Sequence, residues 1–355
     1  MSRPFITALI DTYNHESFIA EAIESVLAQD FPAEDAEILV VDDGSTDSTP
    51  EIMRKFSSRV RYVRKTNGGQ GSAFNRGIAE ARGQILAFLD GDDWWAPSKL
   101  DAVARAFEAE PAVGLVGHGI TNVFPDEKVL LQVPHQTLRF RLDSLEATKT
   151  LRMSRGFLGT SRMSYRREIL DRIGEVPPPL RFEADEYLFT LAGFYADVLI
   201  LNESLTFYRL HDKNLYQLTN GGQDSVREKQ EVIAELAESL CQKLTDIGIP
   251  EPIRKAVLEC VQVEADHLRL ILDGGFPWET VSTEMKIMRL FHSDASLWQR
   301  AFSCARLLPA FLMPARSYYR CRQRLTRAPL YRRLRREFLP FPVPRHIHTS
   351  EEQAK

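Results

Sequence analysis

Long hydrophobic runs and paired cysteines are both missing from this sequence. No apolar stretch in its 355 residues reaches the roughly 18 residues that a membrane-spanning helix needs. The N-terminus lacks the charged flank and the cleavage site of a signal peptide. We therefore expect a cytoplasmic protein with reduced thiols. No C-x-x-C pair, and hence no zinc site of that type, arises from its cysteines, which are Cys241, Cys260, Cys304 and Cys321.

Several signatures of nucleotide and metal binding are absent as well. The chain has no G-x-x-x-x-G-K-[ST] loop, and GGQGSAF (68–74) places Phe74 where a dinucleotide fingerprint needs its third glycine. Neither DDGSTD nor DGDDWW has the spaced ligands and the terminal glutamate of an EF-hand. These absences argue against a P-loop enzyme, a dinucleotide-binding domain with that fingerprint and an EF-hand protein.

Positive charge is distributed unevenly. Residues 295–336 contain 11 arginines, no lysine and no acidic residue, although the net charge of the chain is −4. Tyr318, Cys321 and Leu325 share one helical stripe beside an arginine-rich one. Such a segment can lie in a membrane interface or pair with acidic residues of the same protein. We predict peripheral membrane contact through residues 300–338 and keep the intramolecular alternative open.

Apolar strands alternate with helical stretches in the N-terminal half. This β-α-β-α-β-α-β order predicts an α/β domain with a mostly parallel sheet that is covered on both faces. Its buried strands are predicted at residues 5–10, 37–41, 60–65 and 84–89. Further strands are expected at residues 113–119, 157–165 and 197–211.

The pattern changes near residue 221, where three amphipathic helices begin. The third of them is expected to bury Val281, Met285 and Met288. This helical part offers a surface for a substrate or for a homo-oligomer. The predicted domains are an α/β domain over 1–220, a helical domain over 221–294 and an arginine-rich segment over 295–355.

Acidic residues follow three of the predicted strands. Asp11 comes after the first strand, Asp42 and Asp43 after the second, and Asp90 and Asp92 after the fourth. Ligands bind at the carboxyl edge of open α/β sheets. A single aspartate after a strand is usually a turn or cap residue, but three clusters at one edge favour a functional site.

The D-x-D sequence of Asp90, Gly91 and Asp92 indicates the chemistry of this site. Two carboxylates about 4 Å apart repel by about 4 kcal/mol at an effective dielectric of about 20, unless a cation offsets the repulsion. One or two carboxylates hold Mg²⁺ or Mn²⁺ when substrate phosphates and water supply the other ligands. The glycine is expected to leave space for a bulky anion. We therefore expect Mn²⁺ or Mg²⁺ and a substrate diphosphate.

The motifs around these aspartates resemble those of the family-two glycosyltransferases of the GT-A fold, which move a sugar from a nucleotide-diphosphate donor to an acceptor hydroxyl. The matching stretches are DTYNHESFIAEAIESVLAQDF (11–31), EILVVDDGSTDSTPEI (37–52) and NGGQGSAFNRGIAEARGQILAFLDGDDWWAP (67–97). Looser matches are SYRREILDRIG (164–174), EADEYLFTLA (183–192) and YRLH (208–211).

The resemblance implies roles for individual residues at the donor side. Thr12 and Tyr13 look like the donor-binding turn after the first strand. Asp43 looks like the carboxylate that accepts the uracil N3–H group. Asp90 is similar to a residue near the ribose or the sugar, and Asp92 to the metal ligand.

The resemblance also implies a catalytic base. Asp185 corresponds to the carboxylate that removes the acceptor proton in an inverting transfer, with Glu183 and Glu186 as alternatives. His211 matches a family histidine and is expected at the metal or at a phosphate. Arg76 is the nearest basic candidate for the diphosphate.

Trp94 and Trp95 are expected on the acceptor side, with one of them packed as core beneath the site. The predicted function is a metal-dependent inverting glycosyltransferase that uses a UDP-sugar and a saccharide or lipid-linked acceptor, in polysaccharide or glycolipid synthesis, at the inner face of the membrane.

The sequence also bears on three other functions. A nucleotidyltransferase would carry a glycine-rich basic loop after the first strand, and DTYNHES has neither glycine nor lysine. A non-catalytic binding or scaffold protein of the same fold stays an alternative. Nucleic-acid binding through the arginines leaves the acidic clusters unexplained, so no nucleic-acid partner is expected.

Overall fold

The computed structural model describes residues 5–126, 128–211, 214, 223–291 and 307–327. The chain divides into two compact units, of which one runs to Lys213 and the other begins at Asn214. The predicted domain boundary at residues 220–221 falls outside the described residues. The predicted boundary at residues 294–295 does so as well.

The N-terminal unit alternates strands and helices. Its strands are β1 (Ile6–Thr12), β2 (Ala36–Asp42), β3 (Arg61–Arg64), β4 (Ile85–Asp90), β5 (Trp94–Trp95), β6 (Val113–Val123), β7 (Val129–Gln132), β8 (Leu138–Phe140), β9 (Ser164–Arg166) and β10 (Asp197–Arg209). Its helices are α1 (Ile19–Leu27), α2 (Thr49–Met53), α3 (Gln70–Glu80), α4 (Lys99–Ala109), α5 (Leu145–Ser154), α6 (Arg167–Ile173) and α7 (Ala184–Tyr195).

All of these strands belong to one mixed sheet with the order β3-β2-β1-β4-β9-β6-β10-β5, to which β7 and β8 add at β6 and β10. The first four strands are parallel, as predicted, because helices α1, α2 and α3 connect them. The β9 strand is antiparallel to β4 and β6 and joins this parallel half to the parallel β6–β10 pair.

The centre of the sheet is buried on both faces, which explains why its strands are apolar at consecutive positions. Ile6, Ala8 and Ile10 of β1 pack in a cluster with residues of α1 and α4. Leu9 points to the opposite face, where Gly77 of α3 lies against it. This packing fixes the carboxyl ends of β1 and β4 rigidly beside each other.

The second unit is helical. It contains α8 (Gln223–Asp246), α9 (Glu251–Leu272), α10 (Pro277–Phe291) and α11 (Ala315–Arg327). The prediction for α10 is wrong at Met285, which is exposed, because Glu284 takes the buried position and pairs with Arg322. Within the described residues, no helix is long and apolar enough to cross a membrane.

We predict that Gly77→Ala destabilises the α/β unit. A Cβ at this position would lie 2.4 Å from Cδ1 of Leu9, which is fully buried. Overpacking of this kind costs about 1–3 kcal/mol, more than alanine gains in helix propensity. Urea unfolding measures the change. The control is Gly156→Ala, because an added Cβ there has no neighbour within 4 Å. Equal stability of the two variants would contradict the packing of α3 on β1.

Candidate active site

The carboxyl ends of the parallel strands bring acidic side chains to one edge of the sheet. In the observed register, Asp11 of β1 lies opposite Asp90 of β4. Thr12 lies opposite Asp42 of β2. Asp92 follows β4 in the turn that leads to β5. The aspartates that end β1 and β4 are therefore direct neighbours.

Carboxyl groups are crowded together in buried positions at this edge. Burial and the charges of Asp92 and Asp185 raise the pKa of Asp90 to about 8. Burial and the charges of Asp90 and Asp92 raise the pKa of Asp11 well above its usual value. Oδ1 of Asp11 is buried, and no described residue is its hydrogen-bond partner. A cation bound here would relieve the repulsion that raises these pKa values.

Asp92 lies beside two histidines. Its Oδ2 is 3.0 Å from Nε2 of His211 and 3.9 Å from Nε2 of His15. Burial acts to raise the pKa of Asp92, but the hydrogen bond with His211 and the charges of both histidines keep it below its usual value. The His211 ring also stacks on Phe18, with the ring centroids 4.7 Å apart. Asp92 is thus the carboxylate of this cluster that is held in its ionised form.

Ser161 connects the aspartate cluster to the core from a short 3₁₀ turn before β9. Its hydroxyl donates to Oδ2 of Asp93 at 2.6 Å and accepts from the amide of Asp90 at 3.1 Å. Its carbonyl accepts from Nε1 of Trp95 at 3.0 Å and from the Thr206 hydroxyl at 2.7 Å. Buried polar groups need such partners, and Ser161 supplies them to four residues at once.

The same turn also reaches helix α7. The amide of Thr160 donates to Oδ2 of Asp185 at 3.2 Å, and the amide of Glu186 donates to Oδ1 at 2.9 Å. Burial raises the pKa of Asp185, while these hydrogen bonds and the charge of Arg162 limit the rise. The charge of Arg162 lowers the pKa of Asp90 as well. Arg162 therefore acts electrostatically on both ends of the site.

The two glutamates beside Asp185 have different surroundings. Glu186 is buried and forms an ion pair with Arg155. Glu183 precedes α7 with a φ of 59°, in the left-handed region that few residues other than glycine adopt. Backbone strain of this kind is found at functional sites. The ion pair makes Glu186 a poorer base than Asp185.

Asp43 accepts hydrogen bonds from its own chain at both carboxylate oxygens. Nζ of Lys65 lies 2.5 Å from Oδ1, and the amides of Gly68 and Gly69 donate to the carboxylate at 3.0 and 2.7 Å. Gly69 has a φ of 84°, and a Cβ there would lie 2.5 Å from Cα of Arg181. Asp43 therefore holds the loop at residues 65–69 in a shape that requires glycine.

Thr12 ends β1, and Tyr13 begins the turn after it. Thr12 is buried and Tyr13 is exposed. A Cβ at Gly91 would lie 2.8 Å from both Oγ1 of Thr12 and Nδ1 of His15. This turn therefore requires glycine at position 91, because a larger residue would clash with it, and room for an anion at Gly91 stays a prediction.

Arg76 and the two tryptophans have well-defined partners. Arg76 is exposed on α3 and pairs with Glu80 at 2.7 Å. Trp95 is buried. Trp94 is half-buried and stacks on Phe207, with the ring centroids 5.2 Å apart. Trp94 is therefore the more exposed of the two tryptophans, and the Arg209 guanidinium lies 4.5 Å from its ring centroid.

Comparison with known proteins identifies the α/β unit. A family model described as glycosyl transferase family 2 matches residues 7–174. These residues form a family-two glycosyltransferase domain. The match extends from β1 to α6 and includes the aspartates at the strand ends, whereas Asp185 and His211 lie beyond it.

Bacterial relatives are similar to this glycosyltransferase domain. An uncharacterized glycosyltransferase of Nostoc sp. is 33% identical over 214 residues, which are 59% of this chain and 66% of the relative. The uncharacterized glycosyltransferase EpsJ of Bacillus subtilis is 30% identical over 223 residues, 61% of this chain and 64% of the relative. The chain thus spans slightly less than two thirds of the length of these relatives.

Solved structures share the fold. S. aureus TarS (residues 1–349), in complex with UDP-GlcNAc, has a TM-score of 0.53 at 17% identity and covers 89% of this chain and 91% of its own. Mannosyltransferase PcManGT from Pyrobaculum calidifontis, in complex with GDP-Man and Mn²⁺, has a TM-score of 0.51 at 19% identity. The match covers 94% of this chain and 84% of the mannosyltransferase chain. The predicted fold class, a GT-A domain followed by helices, is confirmed.

Two residues of the candidate site, Ser161 and Arg162, are not predicted from the sequence. They lie in residues 157–165, which the apolar pattern predicts to be a strand. The prediction is wrong for most of this stretch, where 3₁₀ turns precede the short β9 strand. The turns form because buried carboxylates bind the amide and hydroxyl groups of residues 160–161.

We predict that Ser161→Ala lowers stability by about 1–3 kcal/mol, because it leaves the buried Asp93 carboxylate without its hydroxyl donor. Urea unfolding at neutral pH tests this. The matched control is Ser154→Ala, another buried serine, whose hydroxyl bonds only carbonyl oxygens of its own helix. A loss no larger in Ser161→Ala than in Ser154→Ala would contradict the connecting role of Ser161.

Proposed function

We propose that this chain transfers a sugar from a nucleotide-diphosphate donor, a UDP-sugar, to an acceptor hydroxyl with inversion at the anomeric carbon. One observation carries the proposal. The turn at residues 160–162 ties Asp90 and Asp93, at and just after the end of β4, to Asp185 of α7. One turn therefore supports both the acidic end of β4, where the donor is proposed to bind, and a separate carboxylate on α7. The family match and the printed titles of the structural neighbours, which name UDP-GlcNAc and GDP-Man, support the donor class.

The donor is proposed to bind along the carboxyl edge of β1, β2 and β4. Thr12 and Tyr13 form the turn beside the nucleotide, and Asp90 faces the ribose or the sugar. Asp43 holds the loop next to the base through Gly68 and Gly69, and we assign it to the uracil side. The exposed Arg76 would need to leave Glu80 to reach the diphosphate.

The residues of this edge fit a divalent cation. Burial and the charges of Asp90 and Asp92 raise the pKa of Asp11, and its Oδ1 has no hydrogen-bond partner among the described residues. Asp92 and His211 offer a carboxylate oxygen and an imidazole nitrogen side by side, and we propose them as the protein ligands of Mn²⁺ or Mg²⁺. Among the described residues, no group of three or more acidic, histidine or cysteine side chains could hold a metal ion, so the substrate phosphates and water would supply the other ligands. When bound, the cation would neutralise charge on the diphosphate.

Asp185 is proposed as the general base. It takes the proton of the acceptor hydroxyl while that oxygen bonds to the anomeric carbon. The bond from this carbon to the diphosphate oxygen breaks on the opposite face, and its electron pair leaves with the nucleoside diphosphate. Burial raises the pKa of Asp185, which makes its carboxylate a stronger base than a solvated aspartate. Trp94 is proposed to line the acceptor side, with the buried Trp95 beneath it.

The acceptor is proposed to be a saccharide or a lipid-linked sugar of polysaccharide or glycolipid synthesis. We propose membrane contact through residues 300–338, of which the structure describes residues 307–327. There, Arg316 donates to the carbonyl of Leu272 and Arg322 pairs with Glu284. Some of the arginines are thus bonded within the helical unit, and a homo-oligomer through this unit stays a proposal.

We predict that Asp185→Asn removes sugar transfer but leaves nucleotide binding close to that of the wild type. The amide side chain is similar in size to the carboxylate, but it cannot accept the proton. Loss of general-base catalysis lowers kcat by roughly 10²–10⁴-fold. The rate of UDP formation from a panel of UDP-sugars measures sugar transfer, and calorimetric titration of UDP measures nucleotide binding.

The control for this substitution is Asp171→Asn, an exposed aspartate of α6, which should leave kcat unchanged. Near-normal turnover in Asp185→Asn would show that another group is the base. Loss of UDP binding in the same variant would place Asp185 in the donor site instead.

A further inference from the structure

Large apolar side chains are exposed at two turns of the helical unit. The first turn leads into α10, and the second is the 3₁₀ turn at Leu308–Phe311 with the residue after it. The exposed fractions are 61% for Phe276, 63% for Trp278, 63% for Leu308, 57% for Phe311 and 87% for Leu312. These five residues are called the apolar patch below. Monomeric proteins rarely expose apolar groups together in this way unless they bind a partner or a membrane.

The two turns are neighbours. The amide of Ala315, which begins α11, donates to the carbonyl of Gly275 at 3.3 Å. Gly275 directly precedes Phe276, and Ala315 follows Leu312 by less than one helical turn. Phe276 and Trp278 stack on each other with their ring centroids 4.3 Å apart and an interplanar angle of 5°. The apolar patch is therefore an ordered part of the helical unit.

A buried cluster supports the apolar patch from below. Side chains of α9, α10, the 3₁₀ turn and α11 meet in it: Leu270, Val281, Leu307, Ala310, Ala315, Tyr318 and Tyr319. The turns thus already contribute apolar residues to the core. The five residues of the apolar patch do not belong to this buried cluster, so packing within the helical unit does not explain them.

The charges beside the apolar patch are mostly positive. Arg316 and Arg320 are exposed on the first turns of α11. The two nearby acids are neutralised, because Glu279 pairs with Arg269 and Asp273 lies 3.8 Å from Arg227. The surrounding sequence, residues 295–336, has 11 arginines and no acid.

We propose that the apolar patch docks the chain on an anionic lipid bilayer. Aromatic rings and leucines enter the boundary between headgroups and acyl chains, and the arginines stay at the phosphates. Each basic residue near an anionic leaflet adds to the attraction. The charge decides between partners, because a second copy of this chain would present the same positive surface and repel. The proposal extends the membrane contact proposed above to Phe276 and Trp278, and it does not depend on sugar transfer.

Cosedimentation of the full chain with lipid vesicles tests the proposal. We expect binding to vesicles of phosphatidylcholine with phosphatidylglycerol, much weaker binding to phosphatidylcholine alone, and loss of binding as salt screens the charges. Leu312→Asp and Trp278→Ser should each weaken binding by about tenfold or more, because each removes apolar burial in the interface. Leu145→Asp is the matched control, since Leu145 is 52% exposed in the α/β unit.

A second measurement uses the native protein. Brominated lipid in the anionic vesicles should quench tryptophan emission, and Trp278→Ser should remove most of this quenching. Absence of binding to anionic vesicles overturns the proposal. So does wild-type binding by either patch variant. Self-association that Leu312→Asp abolishes, without vesicle binding, would assign the apolar patch to contacts between copies of the chain.

Discussion

Repulsion between carboxylates at the ends of two neighbouring strands is the constraint on which the site depends. The parallel register of β1 and β4 fixes Asp11 opposite Asp90, and the core on both faces of the sheet prevents the strands from moving apart. At an effective dielectric of about 20, each close pair of ionised carboxylates costs about 4 kcal/mol at about 4 Å. Burial, together with the charges of neighbouring carboxylates, raises the pKa of both residues. A site that concentrates charge in this way suits a cation and a phosphate ligand.

The remaining parts of the site compensate this charge with polar groups of the protein. His15 and His211 stabilise the ionised Asp92. Ser161 donates to Asp93, and Arg162 acts on both Asp90 and Asp185. The polar groups of the turn at residues 160–162 therefore serve the strand ends and α7 together. This arrangement separates two tasks, because one carboxylate is kept ionised beside histidines and another is kept basic by burial.

The order of the first four strands and the acidic edge could be predicted because both follow from local patterns: apolar runs, helical spacing and aspartates at strand ends. Ser161 and Arg162 could not, since Ser161 bonds residues that lie 45 to 71 positions away in the sequence and the backbone of this turn follows those contacts rather than its own apolar pattern. The exposure of Met285 also depended on a distant partner, the Arg322 that draws Glu284 inward. Long-range polar contacts therefore determine the backbone of residues 160–162 and the exposure of Met285, which sequence periodicity does not predict.

Calorimetric titration of UDP into the protein, with Mn²⁺ and again with EDTA, tests the central claim most directly. The account predicts binding that requires the metal, because UDP carries phosphates that need a cation beside Asp11, Asp90 and Asp92. It also predicts that Asp92→Asn loses this metal-dependent binding, while Asp171→Asn keeps it. Equal UDP affinity with Mn²⁺ and with EDTA would contradict the account, since the clustered carboxylates would then have no part in holding the donor.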